Sequence, residues 1–341
     1  MKRYIFIIPF LCLLLCLFQA CDKKKEVGLY SIYQLDKYKN PVPKPVVALA
    51  DHWQKQEGLT ATFPKGVEVY RSVQTINNKG TKLYLVAFNP KANIEFKPVL
   101  STTAKTPSQF FADEPGTVYA SINAGFFFGT SSLSLVLQNN VTASVNVKSL
   151  TRTLNGANAT YYPTRAAFGL NKDLVPAVAW VYSVGTGNGE LYAYPQPSSN
   201  EEGKAPQAVP TAAFPAGGAL WQQTSAIGGS PMLVKDSVVN ITDIQELIAV
   251  DNTSSRARSA IGYLKNGNIV LVAADGGTPT TAPGLTLKEL AQVMLEAGCV
   301  GAINLDGGGS SSLIVDGQQT IKPSDAAGER KVMSAILVKK K

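Results

Sequence analysis

The residues best suited to chemistry are Asp306-Gly307-Gly308-Gly309-Ser310-Ser311-Ser312, which follow the apolar run Ala302-Ile303-Asn304-Leu305. This pattern reads as a short buried strand that delivers one carboxylate into a glycine loop and then three hydroxyls. Glycine tolerates positive φ and leaves backbone N–H groups uncovered. Successive uncovered N–H groups form a concavity suited to an anion such as phosphate. Asp306 adds an acid, base, nucleophile or metal ligand at the rim. The same residues also read as a plain tight turn between strands 302–306 and 312–315.

The pattern recurs. Ala273-Ala274-Asp275-Gly276-Gly277 ends another apolar run in the same way, and Gly228-Gly229 and Asn123-Ala124-Gly125 are further glycine turns. Polar residues at strand ends beside glycine loops commonly build a site on a sheet. Asp275 and Asp306 facing one pocket would suit glycoside hydrolysis, in which one carboxyl protonates the leaving oxygen and the other attacks or activates water. They would equally suit a divalent cation such as calcium or magnesium. Taken singly, each Asp-Gly is an ordinary turn former. Arg258 follows a polar run and offers a guanidinium that fits phosphate. Arg256 is the less suited neighbour, and Arg165 and Arg330 are secondary anion-binding candidates. Ser310 and Ser311 could donate to phosphate.

Composition removes several alternatives. The 341 residues contain one histidine, His52, far from the glycine loop in sequence, so a histidine zinc site or a Ser-His-Asp triad there is excluded. Chemistry falls to carboxylates, Arg, Lys, Tyr, Asn, hydroxyls or backbone. The net charge of +8 is scattered, with three charges in Lys339-Lys340-Lys341, and shows no aromatic interleaving. Nucleic acid is therefore not an expected partner. An apolar content of 45% with 16% charged residues describes a globular chain.

The amino terminus reads as targeting sequence. Lys2 and Arg3 precede an apolar stretch from Tyr4 to Phe18, then Gln19-Ala20-Cys21. This resembles a bacterial lipoprotein signal over 1–20, with lipidation at Cys21. The expected location is exported, lipid-anchored to the cell envelope, with the membrane as a partner through that anchor. After loss of the signal only Cys299 remains as an unlipidated thiol, so no disulfide is expected. Residues 21–65 read as a tether and extension, and 66–341 as one catalytic domain. Residues 183–224, rich in Gly, Pro, Ser and Ala, read as an insertion or lid loop.

The elements that must position these groups are mostly strands. Alternation or apolar runs predict strands near 67–70, 82–88, 93–100, 119–123, 166–170, 177–182 and 332–338. Segments 258–264 and 269–274 form a hairpin across Asn266-Gly267. Thr106-Pro107 opens a short helix. Thr286-Leu287-Lys288-Glu289 is a capping box opening another, which Gly298 stops. The expected fold is α/β in the mixed α+β sense, strand-rich with mixed sheets and a few helices.

Six motifs, taken in order, carry a resemblance. They are Ile122-Asn123-Ala124-Gly125-Phe126-Phe127, Gly228-Gly229-Ser230-Pro231-Met232-Leu233, Arg258-Ser259-Ala260-Ile261-Gly262, Asp275-Gly276, Thr286-Leu287-Lys288-Glu289-Leu290-Ala291 and Asn304-Leu305-Asp306-Gly307-Gly308-Gly309-Ser310-Ser311. Together they resemble the phosphodiester glycosidase family over roughly residues 66–341. The resemblance implies an α/β domain that cleaves the glycosidic bond of a sugar-1-phosphodiester. It implies a site lined by Asn123, Gly125, Arg258, Asp275, Asp306 and the glycine–serine loop, with Asn123 orienting the sugar. Ala124 departs from the glycine that the family pattern leads one to expect there. The implied partner is a glycan or sugar phosphate of the cell envelope, environment or host. Oligomeric state is not legible. A glycan-binding surface protein without catalysis, and a metal-dependent phosphodiesterase, are the competing functions.

Overall fold

The computed structural model describes residues 44–249 and 251–341. The chain divides into two compact units, Met1–Pro45 and Val46–Lys341, and the second holds every motif from Asn123 onward. The signal segment and Cys21 lie outside the described residues. The start expected at residue 66 moves back to Val46. Val46 and Val47 are buried against Leu85 and Val270, and strand Trp53–Lys55 pairs with Val67–Ser72. The alternation that locates strands is weak in 46–65, so this packing is not visible locally.

Three sheets dominate. An eight-stranded sheet runs Trp53–Lys55, Val67–Ser72, Leu83–Phe88, Ile269–Ala274, Arg258–Leu264, Cys299–Asn304, Met232–Lys235, Val238–Val239. A seven-stranded sheet runs Ala219–Leu220, Glu190–Tyr194, Pro176–Val184, Arg165–Leu170, Ser225–Gly228, Val136–Gln138, Val141–Ser144. A five-stranded sheet runs Gln318–Gln319, Leu313–Val315, Val118–Asn123, Val332–Lys340, Ile94–Lys105. Their inner faces share one core, in which Val86, Ile261 and Ile303 of the first sheet meet Phe168, Trp180 and Ile227 of the second and Ile122 and Ile336 of the third.

The strand-rich expectation holds, but two details differ. Every strand pairing in the described residues is antiparallel, so the sheets are not mixed in direction. The helical component is minimal: helix α1, Pro107–Asp113, and helix α2, Leu287–Glu296. Antiparallel neighbours can be joined by short turns, so the fold needs few crossover helices. Both helices start as their sequences dictate. Thr106 and Thr286 each accept from the N3 backbone N–H, while Gln109 and Glu289 reach back to the cap. Gly298, at φ +84°, ends α2. Leu287, Leu290, Ala291 and Met294 of α2 cover the outer face of the eight-stranded sheet.

Residues 183–224 are not structureless. Strand Glu190–Tyr194 extends the seven-stranded sheet, with Trp180 opposite Tyr194, and the Tyr194 hydroxyl donates to Thr211 O at 2.8 Å.

The glycine loop is not a hairpin turn either. The strand before it, Cys299–Asn304, belongs to the eight-stranded sheet, and the strand after it, Leu313–Val315, to the five-stranded one. The loop therefore carries the chain from one sheet to the other, and its Asp306 sits at their junction.

Candidate active site

Asp306 emerges where Leu305 N–H still donates to Ser259 O at 2.9 Å, the last bond of the sheet on that side. Its own N–H donates to Ala124 O at 2.9 Å, and its carbonyl accepts from Asn123 Nδ2 at 2.7 Å. Asn123 is fully buried at the end of strand Val118–Asn123. Its Oδ1 accepts from Ser259 Oγ at 2.7 Å and from Ser312 N–H at 3.2 Å. One amide thus joins the two sheets and both ends of the glycine loop. Asn123 holds Asp306 in place; with both of its polar ends engaged by the protein, it is a positioning residue rather than a sugar contact.

The Asp306 carboxyl stands in a cavity of about 220 Å³ lined also by Asp251, Arg256, Arg258, Asn304, Gly307, Gly308, Gly309 and Arg330. Removal from water pushes its pKa up to about 6, against the opposing pull of the nearby Ser310 hydroxyl, the Gly307 N–H and the Arg330 charge. Gly307 N–H donates to Oδ1 at 2.9 Å. The Ser310 Oγ lies close enough to bias the carboxyl but, like Ser311 Oγ, has no protein hydrogen-bond partner. Asn304 forms the floor. Its Nδ2 donates to Ser230 O at 2.7 Å, and Ser230 Oγ donates to the fully buried Glu246 at 2.6 Å. Glu246 also accepts from Ala166 and Met232 N–H, so the floor is anchored to two sheets; burial raises its carboxyl pKa.

Several expected groups stand elsewhere. Asp275 is buried, and its Oδ1 accepts from Lys82 N–H at 2.7 Å. That turns the carboxyl toward strand Leu83–Phe88, while Asp306 lies on the opposite flank of strand Arg258–Leu264. Two strand spacings put the backbones roughly 10 Å apart. Asp275 is not among the residues that line the Asp306 cavity. Desolvation raises the Asp275 pKa, with the Lys82 N–H opposing. Among the described residues no group of three or more His, Cys, Asp or Glu is placed to hold a metal ion. His52 lines a different cavity, beside Trp53 and Glu289.

The glycine loop does not present an open row of N–H groups. It winds into a 3-10 turn over Gly308–Ser310, and the N–H groups of Gly307, Gly308, Ser310, Ser311 and Ser312 all donate within the protein. Buried polar backbone is satisfied internally wherever the chain can reach a partner. Gly125, Gly228 and Gly229 serve packing instead. A Cβ on Gly125 would strike Ser134 and Gly228 O, one on Gly228 would strike Asn146, and one on Gly229 would strike Asn304 O.

Arg258 lines the cavity, but its guanidinium already donates to Leu285 O at 3.0 Å, Asp251 O at 2.7 Å and Ser254 O at 3.1 Å. Burial lowers its pKa to about 10, with Asp251 opposing. Its work is to hold the 251–256 loop over the cavity. Asp251 and Asp325 carry no signal in the sequence, and Asn304, although part of the last motif, is not singled out there as a site residue. Asp325 and Arg330 are five residues apart in a polar loop, a spacing too common to be a signal.

The match to the phosphodiester glycosidase family model spans residues 116–339. The chain belongs to the phosphodiester glycosidase family. It is 45% identical over 69 residues to human N-acetylglucosamine-1-phosphodiester alpha-N-acetylglucosaminidase, a stretch that covers 20% of this chain and 13% of the human protein. It is 33% identical over 106 residues to the prophage-derived protein YomE of Bacillus subtilis, covering 31% of this chain and 16% of that one. The matched stretches are thus a small part of those relatives' length. A hypothetical protein from Synechocystis shares the fold at a TM-score of 0.55 and 19% identity, over 85% of this chain and 64% of the other. The zebrafish N-acetylglucosamine-1-phosphodiester alpha-N-acetylglucosaminidase catalytic domain, a structure described as auto-inhibited by its pro-peptide, does so at 0.51 and 15%, over 87% and 97%.

Proposed function

We propose that this chain is a hydrolase that cleaves the glycosidic C–O bond of a sugar-1-phosphodiester. The observation that carries the reading is the Asp306 carboxyl, raised to about 6, in a cavity lined with three arginines. Family membership supports it. The departing phosphate monoester is a stable anion, so the reaction needs little proton donation to the departing oxygen. The developing charge on the sugar is positive, and one carboxylate held near it stabilises an oxocarbenium-like state. Asp306 fills that role in its ionised form, and arginine at the cavity rim receives the phosphate. Asn123 and the Asn304 floor hold this geometry. No second carboxylate is required.

The proposed substrates are glycosyl phosphodiesters of the cell envelope, the environment or a host. The signal-like segment and lipidation at Cys21 would put the cavity outside the cytoplasm. Hydrolysis of a panel of sugar-1-phosphodiesters in oxygen-18 water tests the reaction. Label in the released sugar is the expected result. Label in the phosphate would show P–O cleavage and overturn it. Binding without release from any member would favour a glycan-binding protein.

A further inference from the structure

Four arginines, Arg165, Arg256, Arg258 and Arg330, divide by what their guanidinium groups already hold. Arg165 is buried and donates to Leu247 O at 3.3 Å, away from the cavity. Arg258 is buried and committed to backbone carbonyls. To receive an anion it would have to abandon partners that hold the loop closed, leaving buried carbonyls unpaired. Arg256 and Arg330 differ in kind. Both line the cavity and both are about half exposed. Each holds a single carboxylate: Arg256 Nε donates to Asp251 Oδ2 at 2.8 Å, and Arg330 donates through Nε and Nη2 to Asp325 at 2.8 and 3.0 Å.

Exposed ion pairs of this kind contribute little to stability, because water and salt compete for both partners. The Arg330 pair is a two-nitrogen fork of the kind that an oxyanion can take over, while Arg256 holds its carboxylate through Nε alone. Gly309 is part of the arrangement. A Cβ there would run into both Arg330 Nη2 and the Asp325 carboxyl, so the ion pair lies directly against the glycine backbone. The cavity floor supplies a group of opposite character. Asn304 is almost fully buried, and its Oδ1 has no partner. Nδ2 donates to Ser230 O, which leaves Oδ1 a buried acceptor without a partner, in a residue that lines the cavity. The cavity thus has exchangeable cations at its rim and one unpartnered amide oxygen buried in its floor residue.

We propose that Arg256 and Arg330, rather than Arg258, clamp the phosphate, each exchanging its carboxylate partner for a phosphate oxygen while the sugar hydroxyls face Asn304. Asp251 and Asp325 are placeholders that occupy the two guanidinium groups until substrate arrives. The sugar then points inward, and the second ester of the phosphate points out past the rim, where a large alcohol fits without entering the cavity. This rests on the reading of the cavity as a phosphodiester site, but the clamp is testable without turnover.

The probe is inorganic phosphate, titrated calorimetrically into the full chain at low ionic strength. Losing one forked charge-assisted contact should weaken phosphate roughly tenfold in Arg256→Gln and again in Arg330→Gln. Arg330→Lys should recover little of the loss, because a point charge cannot replace the fork. Asp325→Asn should tighten phosphate several-fold by releasing Arg330. Thermal melts of these surface variants should stay near the parent's. Unchanged phosphate affinity in both Gln variants overturns the clamp. So does an Asp325→Asn variant that weakens phosphate as much as Arg330→Gln, since the pair would then be a structural unit. If phosphate follows the predicted order but no sugar phosphodiester is hydrolysed, the clamp stands and the glycosidase reading falls. If hydrolysis proceeds with unaltered KM in both Gln variants, the clamp falls and the glycosidase reading stands.

Discussion

Replacing Asp306 by Asn should abolish turnover and, at neutral pH, stabilise the fold. The carboxyl is raised from 3.8 to about 6, chiefly by desolvation. A shift of that size corresponds to about 3 kcal/mol against the ionised form. Asp306 keeps some solvent contact through the cavity, so screening reduces the effect to roughly 1–2 kcal/mol. A folded-state pKa above the unfolded value means the native state binds the proton more tightly. The associated stability is therefore fully present below about pH 4 and is lost as pH rises through about 6. Asn has no such dependence, and its Oδ1 can still accept from Gly307 N–H. The melting temperatures of parent and variant should coincide near pH 4 and diverge above pH 6, with the variant higher by about 2–3 °C for a domain of this size. Hydrolysis should fall by at least roughly 10²–10³-fold, the scale of losing a main electrostatic contact to a transition state. In the parent, kcat/KM should decline below about pH 6 as the carboxylate is protonated. Differential scanning calorimetry across pH, beside the activity assay, gives both readings. An Asn variant that is less stable at pH 7, or a stability difference without pH dependence, would refute the argument, because Asp306 would then be a structural carboxylate.

Asn123→Ala leaves Asp306 O, Ser259 Oγ and Ser312 N–H without their partner, and should cost about 3 kcal/mol in urea unfolding, with lower kcat in what remains folded. Asp275→Asn keeps an acceptor for Lys82 N–H and should leave hydrolysis within about threefold of the parent, whereas a loss near 10²-fold would restore the two-carboxylate mechanism. The raised Asp275 pKa has the same sign as that of Asp306, so this variant should also melt slightly higher than the parent above neutral pH, with the difference vanishing toward pH 4. Cys21→Ser should eliminate incorporation of labelled fatty acid in a bacterial host; continued labelling would overturn the lipidation site.

Much of the scaffold was legible because it is written at short range. Alternation or apolar runs located strands such as Val67–Ser72 and Leu83–Phe88, Asn266-Gly267 marked the hairpin between Arg258–Leu264 and Ile269–Ala274, and Thr106-Pro107 and the Thr286 capping box marked the two helices. Side-chain period and cap chemistry depend on residues a few positions apart. The glycine loop and Asp306 were visible for the same reason, as were the ordered motifs that place the chain in its family. Tertiary structure decided which groups meet and what each is free to do. Asn123 contacts Asp306 across 183 residues of sequence, through strands of different sheets. Asp275 and Asp306 sit in nearly identical local sequences, yet the strand between them turns one toward Lys82 and leaves the other in the cavity. The glycine N–H groups were expected to await an anion, yet those of Gly307 and Gly308 are consumed by the fold. Arg258 looked poised for phosphate and is buried in carbonyls, while Arg256 and Arg330, which looked secondary, face the cavity. A residue type states what a side chain can bond to; only packing decides which of those bonds the protein has already made.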